Sequence, residues 1–246
     1  MNPSIAIAIL LLTFIILIML KCPITFAMIM ATACAMLYIQ VPVMTMVQQM
    51  SKQLNSFSLL AIPFFILMGE IMAAGGISTR LLSFANVCVG QITGGLALVN
   101  VLASMLFGGI SGSAIADVSS LGPLEIKMME DAGYDKNFAI ACTVSSSCQG
   151  LIIPPSHNMV LYATVAGGVS VGSLFCAGYI PGILLGISLM VACYIISKKR
   201  HYPKGEKVPF KEALRVTKDT FFAMLAMVII IGGVSAGFFT ATESAA

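Results

Sequence analysis

Residues 108–117 read GGISGSAIAD and interrupt an otherwise apolar run, LALVNVLASMLF lying just before them. Residues 143–163, TVSSSCQGLIIPPSHNMVLYA, hold a second such interruption. Glycines at 108, 109 and 112 weaken a helix by their backbone freedom. Pro154 and Pro155 each remove a backbone donor, and Pro155 disfavours helix at the residue before it. The chemistry open to such segments is ion and anion binding. Peptide carbonyls freed from a helix are hard oxygen ligands for an alkali cation, and half-helix N-termini turn positive dipole ends toward an anion.

No Lys or Arg lies between Arg80 and Lys127, or between Lys136 and Lys198. A carboxylate held among these segments would therefore be met by bound cations, by helix ends, and by the serine and asparagine donors Ser111, Ser113, Ser156 and Asn158. Anion binding and cation binding would then be electrostatically coupled. Asp117 is either a cation ligand or proton carrier, or the cap of the helix after the first break. His157 is either a group facing substrate or a polar side chain in a wet cavity. Glu70 reads as interfacial. A different chemistry also fits: Gly109-Ile110-Ser111-Gly112 has the G-x-S-G form of rhomboid-like intramembrane serine proteases, with His157 as the base of a Ser–His dyad. A non-transporting structural membrane subunit is a third reading.

The elements that must position these residues are set by hydropathy. Of 246 residues, 59% are hydrophobic and 9% charged, with a mean hydropathy of +1.00. That composition makes a bilayer the solvent. Candidate spans are about 3–20, 24–42, 57–74, 138–167, 176–197 and 219–239, near the roughly 20 residues a crossing needs. Residues 43–55 and 77–92 are amphipathic and suit an interface. Two short apolar arms, 94–107 and 118–129, flank the first interruption and predict a re-entrant helical hairpin over 94–130. The proline pair predicts a broken helix over 138–167. Gly178, Gly182 and Gly186 form a stripe suited to close helix packing. The expected fold is thus an all-α membrane protein, a multi-span helical bundle with a re-entrant hairpin and a proline-broken helix.

The net charge of +3 arises from KKRHYPKGEKVPFKEALRVTK at 198–218. In this context the cluster is a cytoplasmic loop under the positive-inside rule, not a nucleic-acid surface. Counting spans from it places the N-terminus outside and the hairpin base inside. The first apolar run lacks a basic leader and is too long for a signal peptide. The seven cysteines show no CxxC spacing and read as small buried hydrophobes. No enzyme cofactor is expected.

At these residues the chain resembles the large membrane subunit of TRAP transporters, the tripartite ATP-independent periplasmic carriers of the DctM family. The resemblance rests on SFSLLAIPFFILMGEIMAAGG (56–76), SGSAIAD (111–117), GLIIPPS (150–156) and SLFCAGYIPGILLG (173–186). It implies one repeat of an inverted-repeat elevator carrier in the bacterial inner membrane. It implies sodium as the coupling ion, an organic-acid substrate such as a C4-dicarboxylate or sugar acid, a small membrane subunit and a periplasmic substrate-binding protein. It also implies a sodium site made mainly by backbone carbonyls of Ser111, Gly112 and Ser113 at the hairpin tip and of Ile153, Pro154, Pro155 and Ser156 in the break. The chain departs from the family pattern at Ser145–Gln149, where a small glycine-rich run is usual, and at His157, where an apolar residue is usual. One hairpin and one broken helix stand where the family has two of each, and GGVSAGFFTATESAA reads as the opening of a second repeat. The expected organisation is scaffold at 1–93, half of a transport domain at 94–197, a basic linker at 198–218 and the start of the second repeat at 219–246, an N-terminal half.

Overall fold

A computed structural model describes residues 3–55, 57–205 and 208–245. Every multi-residue element among them is helical, and the β pairing is an isolated antiparallel bridge between Thr93 and Lys204. The chain forms two compact units, parted between residues 56 and 57.

The first unit holds α1 (Pro3–Met19), α2 (Ile24–Tyr38) and α3 (Met44–Leu54). α1 and α2 pack on each other across a turn in which Lys21 is left-handed, φ 59°. Ala27, Ala31 and Ala35 recur every four residues as the buried stripe of α2, small enough for close backbone approach. Many large side chains of α1 stay exposed, Leu12 and Ile16 among them, as suits a surface that meets lipid tails.

The second unit opens with a short 3-10 turn (Phe57–Leu60) and α4 (Ala61–Ala74). α5 (Ile77–Val89) leaves α4 at 71°, through Gly76 at φ 76°. α6 (Gly95–Ser111) follows and is the hub. Ala97, Leu98 and Val101 join one core with Met129, Phe138 and Cys142, while Val99, Ala103, Phe107 and Ile110 join another with Leu81, Leu82 and Ala85. A helix apolar on all sides belongs in the interior, and this one is buried on both.

After α6 come α7 (Ala114–Ser120), α8 (Gly122–Asp131) and α9 (Lys136–Ser147), the last capped by Asp135, whose Oδ1 accepts from the Phe138 N–H at 3.0 Å. A 3-10 turn (Cys148–Leu151) leads through the proline pair, joined by a cis bond, to α10 (His157–Ala166). Then come α11 (Val171–Lys199), α12 (Phe210–Ser235) and α13 (Ala241–Ala245). A third core joins Phe65 of α4, Val160 of α10, Phe175 of α11 and Ile230 of α12.

Several expectations are refined. The first interruption is narrower than 108–117: helix persists through Ser111, with the Gly112 N–H still donating to the Gly108 carbonyl at 2.9 Å, and resumes at Ala114. Tight packing, described below, offsets the intrinsic cost of two helical glycines. The basic segment 198–218 is largely helical from Phe210 on, because Pro209 suits a helix start; its Glu206 and Lys207 lie outside the described residues. α5 shares a core with α6, and residues 57–93 lie in the same compact unit as the hairpin. Among the described residues one helix, α11, is long and apolar enough to cross a membrane by itself. The bent α4–α5 pair passes only when taken together, and α1, α2 and α6 are shorter apolar helices.

Candidate functional site

The two helix interruptions meet. Gly112, at φ 61°, takes the left-handed turn that ends α6. A β-carbon there would run into the Pro155 carbonyl oxygen and stand 3.3 Å from Ser156 Cα. The His157 N–H donates to the Gly112 carbonyl at 3.4 Å. Four residues back on α6, Gly108 lies against Gly150: a β-carbon on Gly108 would fall 2.7 Å from Gly150 Cα. Hairpin and break therefore touch main chain to main chain at two levels. The glycine stripe of α11 backs the break from behind. A β-carbon on Gly178 would stand 2.6 Å from the Ile152 carbonyl oxygen, one on Gly182 2.5 Å from Ile153 Cγ1, and one on Gly186 2.5 Å from Gln149 Oε1.

Ser113 caps α7, its backbone extended and its Oγ accepting from the Ala116 N–H at 3.3 Å. The capping alternative for Asp117 is thereby corrected. Its own N–H donates to the Ser113 carbonyl one turn inside the helix, and its carboxyl is buried with Oδ1 unpartnered.

A pocket of about 270 Å³ opens beside the meeting point, lined by Ile66, Gly69, Glu70, Ser111, Ser113, Ile115, Ala116, Ser119 and His157. Of the residues expected at the site, Ser111 and Ser113 line it together, and His157 joins them. Ser156 does not: its hydroxyl donates to the Leu151 carbonyl at 2.7 Å, satisfying an oxygen the broken helix leaves free. Asn158 is exposed and also outside the lining. Ile153, Pro154 and Pro155 are buried in the break. Glu70, read as interfacial, is exposed at the pocket rim. The Ser111 hydroxyl lies 3.5 Å from both the N–H and the carbonyl oxygen of Ser113, and His157 Nε2 has no hydrogen-bond partner. No hydrogen bond joins Ser111 to His157, so the geometry of a Ser–His dyad is not formed.

A buried polar chain joins α6 to α9, and sequence reasoning missed its members Asn100, Ser104 and Thr143. Asn100 Nδ2 donates to Thr143 Oγ1 at 2.7 Å, Ser146 Oγ to Asn100 Oδ1 at 2.6 Å, and Ser104 Oγ lies 3.2 Å from Ser146 Oγ. Gln149 Nε2 donates to the Ser146 carbonyl at 2.9 Å. The readable signal was helical spacing: 100, 104 and 111 share one face of α6, and 143 and 146 one face of α9. Glu125 on α8, likewise unremarked in sequence, is buried near Asn100.

The family description "Tripartite ATP-independent periplasmic transporter, DctM component" matches residues 11–246. The chain belongs to the DctM component family. It is similar to the sialic acid TRAP transporter large permease protein SiaM of Vibrio cholerae, 48% identical over 199 residues, covering 81% of this chain and 46% of that protein. It is also similar to the C4-dicarboxylate TRAP transporter large permease protein DctM of Pseudomonas aeruginosa, 46% identical over 190 residues (77% of this chain, 44% of that protein). The 2,3-diketo-L-gulonate TRAP transporter large permease protein YiaN of Escherichia coli is 38% identical over 225 residues (91% and 53%). The chain spans about half the length of these relatives. A DctM component is a multi-pass membrane permease and not an enzyme, which removes the protease reading.

Among the described residues no three His, Cys, Asp or Glu side chains gather as a metal site. The oxygen donors where the breaks meet are instead the Ser111 and Ser113 hydroxyls and backbone carbonyls.

Proposed function

We propose that this chain is the N-terminal half of the large permease subunit of a sodium-coupled TRAP-type transporter. It takes up an organic acid, such as a C4-dicarboxylate or a sugar acid, across the bacterial inner membrane. It works with a small membrane subunit and a periplasmic binding protein that delivers the substrate. Its N-terminus faces the periplasm and residues 198–218 the cytoplasm. The observation that carries the reading is the meeting of two unwound segments, Gly112 against Pro155 and Ser156, beside a pocket lined by Ser111 and Ser113.

The physical argument is one of charge. α10 starts without a side-chain cap, so its first N–H groups, apart from the His157 bond to Gly112, are available to an acceptor. Carbonyl oxygens of Ser111, Gly112, Ser113 and residues 153–156 would hold the sodium ion, which supplies the positive charge that these segments lack. A carboxylate then meets Ser111, Ser113 and the positive end of α10. Without the cation, the carbonyl dipoles would oppose it.

In the full-length permease assembled with its partners, Ser111→Ala raises the sodium concentration for half-maximal uptake more than it lowers expression. Ser156→Ala does the same by releasing the Leu151 carbonyl. Unchanged sodium dependence in both variants would refute the assignment.

A further inference from the structure

Glu125 is 3% exposed, and neither carboxyl oxygen has a hydrogen-bond partner. It lines a cavity of about 10 Å³ together with Leu82, Val99, Asn100, Met128 and Met129. No Lys, Arg or His lines that cavity. Among the described residues, the titratable neighbours of Glu125 on the packed helices include Asp117 on α7 and Cys142 on α9. Asp117 carries the same sign of charge and the thiol is neutral. An ionised carboxylate so placed would be desolvated with nothing to balance it.

Two ligands could remove that charge, a metal cation or a proton. A cavity of about 10 Å³ is about one water-sized sphere, and its wall supplies few oxygens. Of these, the Asn100 amide is already engaged: Nδ2 with Thr143 and Oδ1 with Ser146. The rest of the wall is aliphatic or thioether. A cation would lack a coordination shell, whereas a proton needs one acceptor. The Asn100 carbonyl oxygen has a second lone pair for a carboxyl O–H.

We propose that Glu125 is a proton-binding site in the base of the hairpin, separate from the tip where the two breaks meet. The proton sits on the carboxyl, in the small cavity whose wall Asn100 shares.

The full chain reconstituted in lipid is to be read by infrared spectroscopy at neutral pH. The C=O stretch of a protonated carboxyl is present, and Glu125→Gln removes it while the helical content is kept. Adding sodium to the wild type leaves the band unchanged. Glu125→Gln also leaves thermal stability equal or higher, because an uncharged isostere fills the same space. The proposal is overturned if the band is absent, if it survives in Glu125→Gln, if sodium abolishes it, or if Glu125→Gln unfolds the chain.

Discussion

The most constrained residue at the site is Gly112. Its left-handed φ alone costs a side chain about 1–2 kcal/mol, and a methyl group there would also strike the Pro155 carbonyl. Gly133 is a natural control: φ is 86°, but nothing stands within 4 Å of an added β-carbon. Gly112→Ala is therefore expected to lower the melting temperature of the reconstituted chain well beyond Gly133→Ala, although both glycines have a positive φ. Asn100→Ala removes the donor to Thr143 Oγ1, while Ser146 keeps the Thr143 carbonyl and Ser104, at a cost of ~1–3 kcal/mol, measured by thermal unfolding in detergent. At this scale the sequence was read unevenly. Ser111, Ser113 and the prolines announced themselves as polar or rigid groups in apolar runs. Asn100, Ser104 and Glu125 did not, because single polar residues acquire meaning only when another helix lays its own beside them. Ser156 and Asn158 looked equivalent to the other donors; one hydroxyl is consumed by a local carbonyl and one amide is exposed.

At the scale of elements, the segment after α11 fixes the bases of both interrupted elements. Tyr202 stacks on Tyr134 at 4.3 Å and lies 5.4 Å from Phe138, while its hydroxyl accepts from the Asp135 N–H at 3.3 Å. Arg200 reaches Asp135 at 3.6 Å. A few residues on, the Pro203 carbonyl accepts from the Gly94 N–H at 3.1 Å, at the start of the hairpin. Tyr202→Ala removes a buried ring, at ~3–5 kcal/mol, and is expected to raise hydrogen exchange first in α9 and at the start of α6. Tyr202→Phe keeps the stacking and loses only the hydroxyl contacts. The arms of the hairpin and the proline break were legible because Gly, Pro and apolar length are local signals. Their exact limits were not: the helix continues through Gly108, which packs directly against Gly150, a tertiary fact. α11 likewise runs through Pro181, and its glycines lie against the break.

For the whole molecule, membership of the DctM component family and the basic segment 198–218 together define an expected orientation. Reporter domains fused after residue 137 and after residue 205 are expected to show cytoplasmic activity, and one fused near residue 168 periplasmic activity. Opposite results at 205 would reverse the proposed topology. The composition made the bilayer legible from the start, yet it could not show which helices cross it. Crossing length is shared out among bent and interrupted pieces, and only their packing assigns each piece to a partner.

Where Gly108 faces Gly150, no side chain stands between the two main chains to swing aside and take up slack. A rigid joint follows. A displacement that lifts the tip at Gly112 must drag the proline segment along with it or tear open an empty seam in the interior. If the two interruptions move at all, they move as a single piece, with Ser111 and Ser113 of the hairpin and His157 beyond the break kept on one pocket wall.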